Sequence, residues 1–506
     1  MKLTLLIALL AIFGIVACAS SPQKQAHGIA GSHSADKTAE LAAEQQRLHA
    51  VMTSRGNDFG RQLTALQELI EAPAFKSLSV DDQFEALMRA ARASLYSKQP
   101  ALASDYIARV IALPGLGFED QVGAVEQARE IGNWAVAVHC LTSIAHQWPE
   151  RLAALRAGTV ALLVHAADDL PRNDKFLLLQ ALYAARWKLE WDIEPSEYWR
   201  DLALFLIEKG SLGEAIDVSS HITAPYALIG MRADRRFDAV VSAHPDQFDV
   251  ELAADQELRT LQSLSDEHPK SLWLKARVME ALQHKKHYAA MLAASDSVIQ
   301  DIRATNFPDK LYDDYVQEHD AYFELRSIAL EREERWDEAE AQMVAAARDG
   351  SIDQIINLAY LYCALDRPKD ALAVLGPVGP TRTSPYGAMQ AEVLRLQSAV
   401  ELEDRDQTSR SMQFLRSHHA DAPRTYLYGL IVANQLDQAA HYLITELEDV
   451  GLRQSVLPEV QEYLPNPGTK TELEMEARWQ SVIARKEVQT VIHKVGRIER
   501  FNLEAP

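Results

Sequence analysis

Apolar residues recur along most of this chain at three- and four-residue spacing, which predicts helices with one buried face. The helices come in pairs. Trp199, Leu202 and Leu206 share a face of a first helix, Ala203 is small enough to admit a close neighbour, Gly210 supplies a turn, and Leu212, Ala215 and Ile222 mark a returning helix. Leu87, Ala90, Ala91, Pro100, Ala103, Ile107 and Val110 predict another hairpin, and Gly132, Trp134, Ala137, Leu141, Ile144 and Pro149 the second half of the next. Trp336, Ala339, Met343 and Ala346 mark a further second helix, followed by Ile355, Leu358, Ala359, Tyr362, Pro368, Ala371 and Leu375. Ala103 and Ala137 stand 34 positions apart, and Ala371 and Ala439 stand 68, which predicts a degenerate unit around Leu394 to Leu415. With few β-branched clusters between units, almost no sheet is expected.

This spacing and residue order resemble the tetratricopeptide repeat (TPR). The resemblance implies an all-α fold: an α-solenoid of TPR-like antiparallel helix hairpins, with residues 41–224 as an N-terminal array and 225–464 as a C-terminal one. Two stretches depart from the period. Ala137 to Ala215 is 78 residues and Ala215 to Ala339 is 124, so irregular hairpins or insertions are expected in both. Pro225 to Asp249, with Arg232, Arg235 and Arg236 beside Asp234 and Asp238, matches no repeat and reads as a joint. Pro465-Asn466-Pro467-Gly468 breaks the helical text, which resumes from Thr471 to Lys494. Because an array end exposes an apolar face, residues 465–506 are expected to form a C-terminal capping helix and tail.

The first residues carry an address. Lys2 precedes an apolar run from Leu5 to Val16, too short to span a bilayer, and Ile15-Val16-Ala17-Cys18 resembles the lipobox of bacterial lipoproteins. That resemblance implies a signal peptide over 1–17, acylation of Cys18 and, with Ala19 rather than Asp next, a lipid anchor in the outer membrane facing the periplasm. Plain secretion to the periplasm, with cleavage after Ala17 or Ala19, is the alternative. Residues 18–40 have a tether's composition.

Composition narrows the function. At 506 residues, 48% hydrophobic but only 7% aromatic, the chain suits stacked small-aliphatic hairpins better than one core. The net charge of −21 disfavours nucleic acid as a partner. Cys140 and Cys363, far apart in an array, read as buried free thiols. No nucleophile, phosphate-binding or zinc motif is legible, so no enzyme activity, cofactor or metal is expected. His284 and His287 flank Lys285 and Lys286, which would oppose a dication, and read as a solvated basic turn. Asp309, Asp313, Asp314, Glu318, His319 and Asp320 lack the spacing of a calcium loop and read as an exposed face.

Helical spacing places Glu197, Arg200 and Leu204 in one unit, Glu324 and Glu331 in another, and Asp353, Ile356 and Tyr360 in a third, on the inner helices that line a groove. The expected function is a lipid-anchored scaffold of the cell envelope that binds a segment of a partner envelope protein in that groove. The alternative is binding or processing of peptidoglycan, with a site in 150–195 or 225–320.

Overall fold

The computed structural model describes residues 59–505 apart from 306, 349, 350, 380 and 381, together with Gln46 and Ala50. The signal segment, Cys18 and the tether lie outside the described residues. Packing divides the chain at Phe205 and Leu206, inside a helix, rather than at the expected 224 and 225.

The first unit contains α1 (Phe59–Glu71), α2 (Val80–Tyr96), α3 (Pro100–Ile111), α4 (Phe118–Glu130), α5 (Trp134–Gln147), α6 (Ala157–Ala166), α7 (Arg172–Ala184) and most of α8 (Ser196–Glu208). α2 pairs with α3 and α4 with α5. Aromatic rings fill its wider gaps: Phe118 meets Trp148 edge-on at 6.1 Å, and Tyr183 meets Trp199 at 5.2 Å.

The second unit opens with α9 (Leu212–Ser219), α10 (Pro225–Ala233), α11 (Asp238–Ala243) and α12 (Val250–Glu267). Its hairpins follow: α13 (Leu272–His284) with α14 (Tyr288–Arg303), a short α15 (Pro308–Leu311), then α16 (Tyr315–Arg332) with α17 (Trp336–Ala347). α18 (Ile352–Ala364) pairs with α19 (Pro368–Leu375), α20 (Pro385–Glu401) with α21 (Arg405–Ser417), and α22 (Pro423–Val432) with α23 (Leu436–Glu448). α24 (Arg453–Val456), α25 (Lys470–Ile483) and α26 (Lys486–Val495) complete it. Among the described residues the only strands are β1 (Glu462–Tyr463) and β2 (Arg500–Phe501), a parallel pair. The all-α expectation therefore holds.

One turn recurs in both units. At Lys98, Gly132, Gly210, Lys286, Glu334, Asp366, Glu403 and Asn434 the backbone is left-handed, with φ between 55° and 80°. In each case the next N–H donates to the carbonyl five residues back, as from Asn133 to Ala128, Ser211 to Leu206 and Gln435 to Leu430. This is the Schellman closure of a helix C-terminus. It ends the first helix and aims the second back along it.

Five residues beyond that turn the second helix carries a small buried residue in most hairpins. The position holds Ala103, Ala137, Ala215, Ala339, Ala371 and Ala439, all fully buried. In α14 it is Met291 and in α21 Thr408, which is why those two hairpins read as weak repeats. The degenerate unit expected near Leu394 to Leu415 is the hairpin of α20 and α21. Cys140 and Cys363 are both buried and free, and burial pushes each thiol up to about 12.

The C-terminal segment differs from the single helix expected over 471–494. It breaks into α25 and α26 around Ala484 and Arg485. α26 and α25 cover α23, the last repeat helix, but α25 also touches α18 and α22.

Candidate functional site

In the second unit first helices pack directly on one another for α13 on α16, α18 on α20 and α20 on α22, while α17 links α16 to α18. These first helices form the inner wall. Adding 33 to a wall residue finds its neighbour one repeat on: Asp320, Asp353 and Tyr386 form one row, and Glu324, Asn357 and Gln390 the next. Gln390 then donates to Thr425 Oγ1 on α22 at 2.9 Å.

The wall has a covered end and an open one. At the covered end the C-terminal residues cross it as an arm. The Glu504 carboxylate accepts from Arg332 Nη2 at 3.2 Å and Asn466 Nδ2 at 2.8 Å. Arg332 also donates to the Pro467 carbonyl at 3.0 Å. Both members of the ion pair are buried, at 4% and 2% exposure. Around them Tyr226 Oη donates to the Glu504 carbonyl at 2.7 Å, and Lys286 Nζ to the Leu464 and Pro465 carbonyls at 2.8 and 2.6 Å. A cavity of about 320 Å³ remains between the ends of α18, α20 and α22 and the arm, lined by Gln397, Glu401, Thr469 and Met475 among others. Burial raises Glu401 there to about 6.

Residues Pro225 to Asp249, expected as a joint, hold this arm. Arg232 pairs with Glu499 at 2.6 Å, Arg235 donates to the His493 and Gly496 carbonyls at 3.0 and 3.2 Å, and Arg497 pairs with Asp238. Asp234 is buried against Arg236 at 2.5 Å. A Cβ on Gly496 would lie 2.4 Å from the Ala233 carbonyl, so only glycine allows this approach. The turn at Lys285 and Lys286 is accordingly a clasp rather than a solvated loop.

The open end carries Asp320, Glu324, Asp353, Asn357 and Tyr386. Asp353 is exposed, the Asp320 side chain is 49% exposed and Tyr386 38%. Glu324 lies deeper. Burial first, then the carboxylates of Asp353, Glu331 and Asp320, push it up to about 8 against the opposing effect of Asn357.

The groove candidates separate accordingly. Glu324 and Asp353 come together at the open end. Glu331 is buried and Tyr360 lies beneath the arm, beside Glu472 and Thr471. Leu204 and Ile356 are buried in packing between helices and line no groove. Glu197 and Arg200 belong to the first unit and pair with each other at 2.6 Å. Asn357, Tyr386 and Gln390 were missed, although the 33-residue step from Glu324 and Asp353 reaches all three.

Other clusters resolve without a ligand site. His284 faces Glu257 at 3.6 Å and the Tyr226 ring, while His287 is exposed at the start of α14. In the acidic cluster, Asp314 caps α13, accepting from the Leu272 and Trp273 N–H groups at 2.7 and 3.0 Å, and Glu318 is buried. These two are therefore not part of a solvated face.

The class that the fold defines is an all-α protein of stacked TPR-like hairpins. No family model matches the chain, and no curated protein does. Among solved structures, it is similar to yeast Tom70 at 11% identity and a TM-score of 0.33, covering 91% of this chain and 100% of that one. It is also similar to Cut9 in the APC/C Cut9–Hcn1 hetero-tetramer (11%, TM-score 0.24, 91% and 97%) and to the human IFIT1 dimer with m7Gppp-AAAA (13%, TM-score 0.27, 89% and 96%). At these values the assignment rests on the hairpins themselves.

Proposed function

We propose that this chain is a lipid-anchored scaffold of the cell envelope, held through Cys18 at the periplasmic face of the outer membrane, whose inner wall binds a segment of a partner protein. One observation carries the binding reading: the polar row Asp320, Glu324, Asp353 and Tyr386 stands on successive first helices of the array, α16, α18 and α20, with Asp353 and Tyr386 exposed, while the arm covers the other ends of these helices. A preformed wall binds a segment without reorganising. The anchor rests on the first 18 residues alone.

A photo-crosslinking residue at Tyr386 in intact cells, followed by identification of what is joined to it, tests the first part. A recurrent protein partner is expected, with a control at exposed Leu402 capturing none; absence of any crosslinked protein overturns the reading. Incorporation of a fatty-acid analogue that disappears in Cys18→Ser tests the anchor. A protein that takes up no label is not lipid-anchored.

A further inference from the structure

At the covered end Glu504 is packed to 2% exposure, yet a cavity of about 320 Å³ remains between α25 and the ends of α18, α20 and α22. That volume falls within the range of small-molecule pockets, about 300–1,000 Å³. Val400, Val432 and Met475 give it apolar sides, and Asp366, Glu401 and Thr471 polar ones.

Three inner helices end at this cavity: α18 at Ala364, α20 at Glu401 and α22 at Val432. A helix C-terminus carries about half a negative charge, so three together favour a cation. The chain itself answers one of them, because Arg478 reaches from α25 and donates to the Ile431 and Val432 carbonyls at 3.2 and 3.0 Å. At the ends of α18 and α20 the lining side chains instead add negative charge, from Asp366 and Glu401. Asp366 lies close enough to act on Glu401, which also accepts from Gln397 Nε2 at 3.2 Å. Nearby cations are directed elsewhere: Lys470 is 90% exposed and lies 3.7 Å from Glu474, and Arg367 pairs with Glu340 and Asp370, both at 2.7 Å. The start of α25, which would favour an anion, is closed by Thr469 and Glu472, each side chain accepting from the other's backbone N–H at 3.2 and 2.9 Å. We propose that this cavity binds a small organic ammonium, its charged group between Glu401 and Asp366 and its carbon chain against Val400, Val432 and Met475. The site lies beneath the arm and does not depend on the partner segment proposed for the open end.

Titration of the purified full chain with n-butylammonium, and separately with 1-butanol, followed by calorimetry and ligand-observed NMR, provides the test. At pH 8 Glu401, raised to about 6, is ionised. Saturable binding of the ammonium is expected, at least about tenfold tighter than that of the alcohol, the difference made by one charge-assisted contact. Its affinity should fall about tenfold in Glu401→Gln and at least as far in Thr471→Trp, which places an indole on the cavity lining. It should change less than about twofold in the double variant Glu333→Gln with Asp337→Asn, which removes two charges from exposed positions outside the cavity. No saturable binding overturns the inference, as does an alcohol that binds equally well. Equal losses in the double variant would reduce the effect to net charge, and full affinity in both cavity variants would place the ligand elsewhere; either result also overturns it. Gln keeps the shape of Glu401, and unchanged thermal unfolding of each variant verifies that the arm is in place. Crosslinking at Tyr386 reports on the open end separately, so the two readings fail independently.

Discussion

At the covered end of the inner wall Arg332 meets Glu504 and a carbonyl, and Gln397 donates to Glu401 and accepts from Tyr428. Two turns earlier along the same helices, burial and the carboxylates of Asp353, Glu331 and Asp320 raise Glu324 against the opposing effect of Asn357, and burial together with Asp320 raises Asp353. One scaffold thus builds two kinds of surface. Where the arm lies over the wall, Arg332 and Gln397 find partners within the chain; at the other end the carboxylates lie against one another.

The covered end breaks most dramatically at Arg332. In Arg332→Met the buried Glu504 loses its counter-ion, and unfolding free energy measured in urea should fall by about 3–5 kcal/mol. Adding Glu504→Gln should recover part of that loss, because the two side chains are coupled. Additive losses would show that the arm is not held by this pair. Gly496→Ala should cost about 1–3 kcal/mol by forcing the arm away from Ala233, and limited proteolysis should then cut beyond Leu464 first. An arm as resistant as before would contradict the close approach.

The open end should respond to pH instead. Glu324 holds its proton to about 8 in the folded chain and to about 4.5 when unfolded, so the folded state binds the extra proton between those values. Stability should accordingly fall as pH rises from about 5 to about 8. Glu446, raised to about 7, contributes with the same sign, so the difference between wild type and Glu324→Gln isolates the effect. Equal pH profiles for the two chains would place Glu324 in an ordinary solvated setting. The smallest effect expected is at a turn: Glu403→Gly relieves a left-handed side-chain residue and should add about 0.5 kcal/mol once the greater freedom of unfolded glycine is subtracted.

Much of the hairpin architecture was readable because it depends on local spacing. The buried Ala at positions such as 103, 137, 215, 339, 371 and 439 repeats at helical contacts, and two of the turns carry a glycine. Met291 and Thr408 at the same register, and Lys, Glu, Asp or Asn at the other turns, concealed the remaining units. Glu324 and Asp353 were within reach of helical spacing, whereas Leu204 and Ile356 share that spacing but are buried. The arm was not legible, since its contacts with the rest of the unit join residues 135 to 278 positions apart and follow no period. Its trace was three arginines at 232, 235 and 236, outside any repeat in an acidic chain.

Those long-range contacts also order events in time. The Ala233 and His284 carbonyls accept from the Arg497 and Glu504 N–H groups, and Tyr226 Oη donates to the Glu504 carbonyl. The hairpins close on nearby sequence and need not wait, whereas the second unit reaches its final form only once residues 497–504 are available to join residues 226–284. A chain cut before Arg497 would keep stacked helices with their seam undone, and proteases would meet it at that seam.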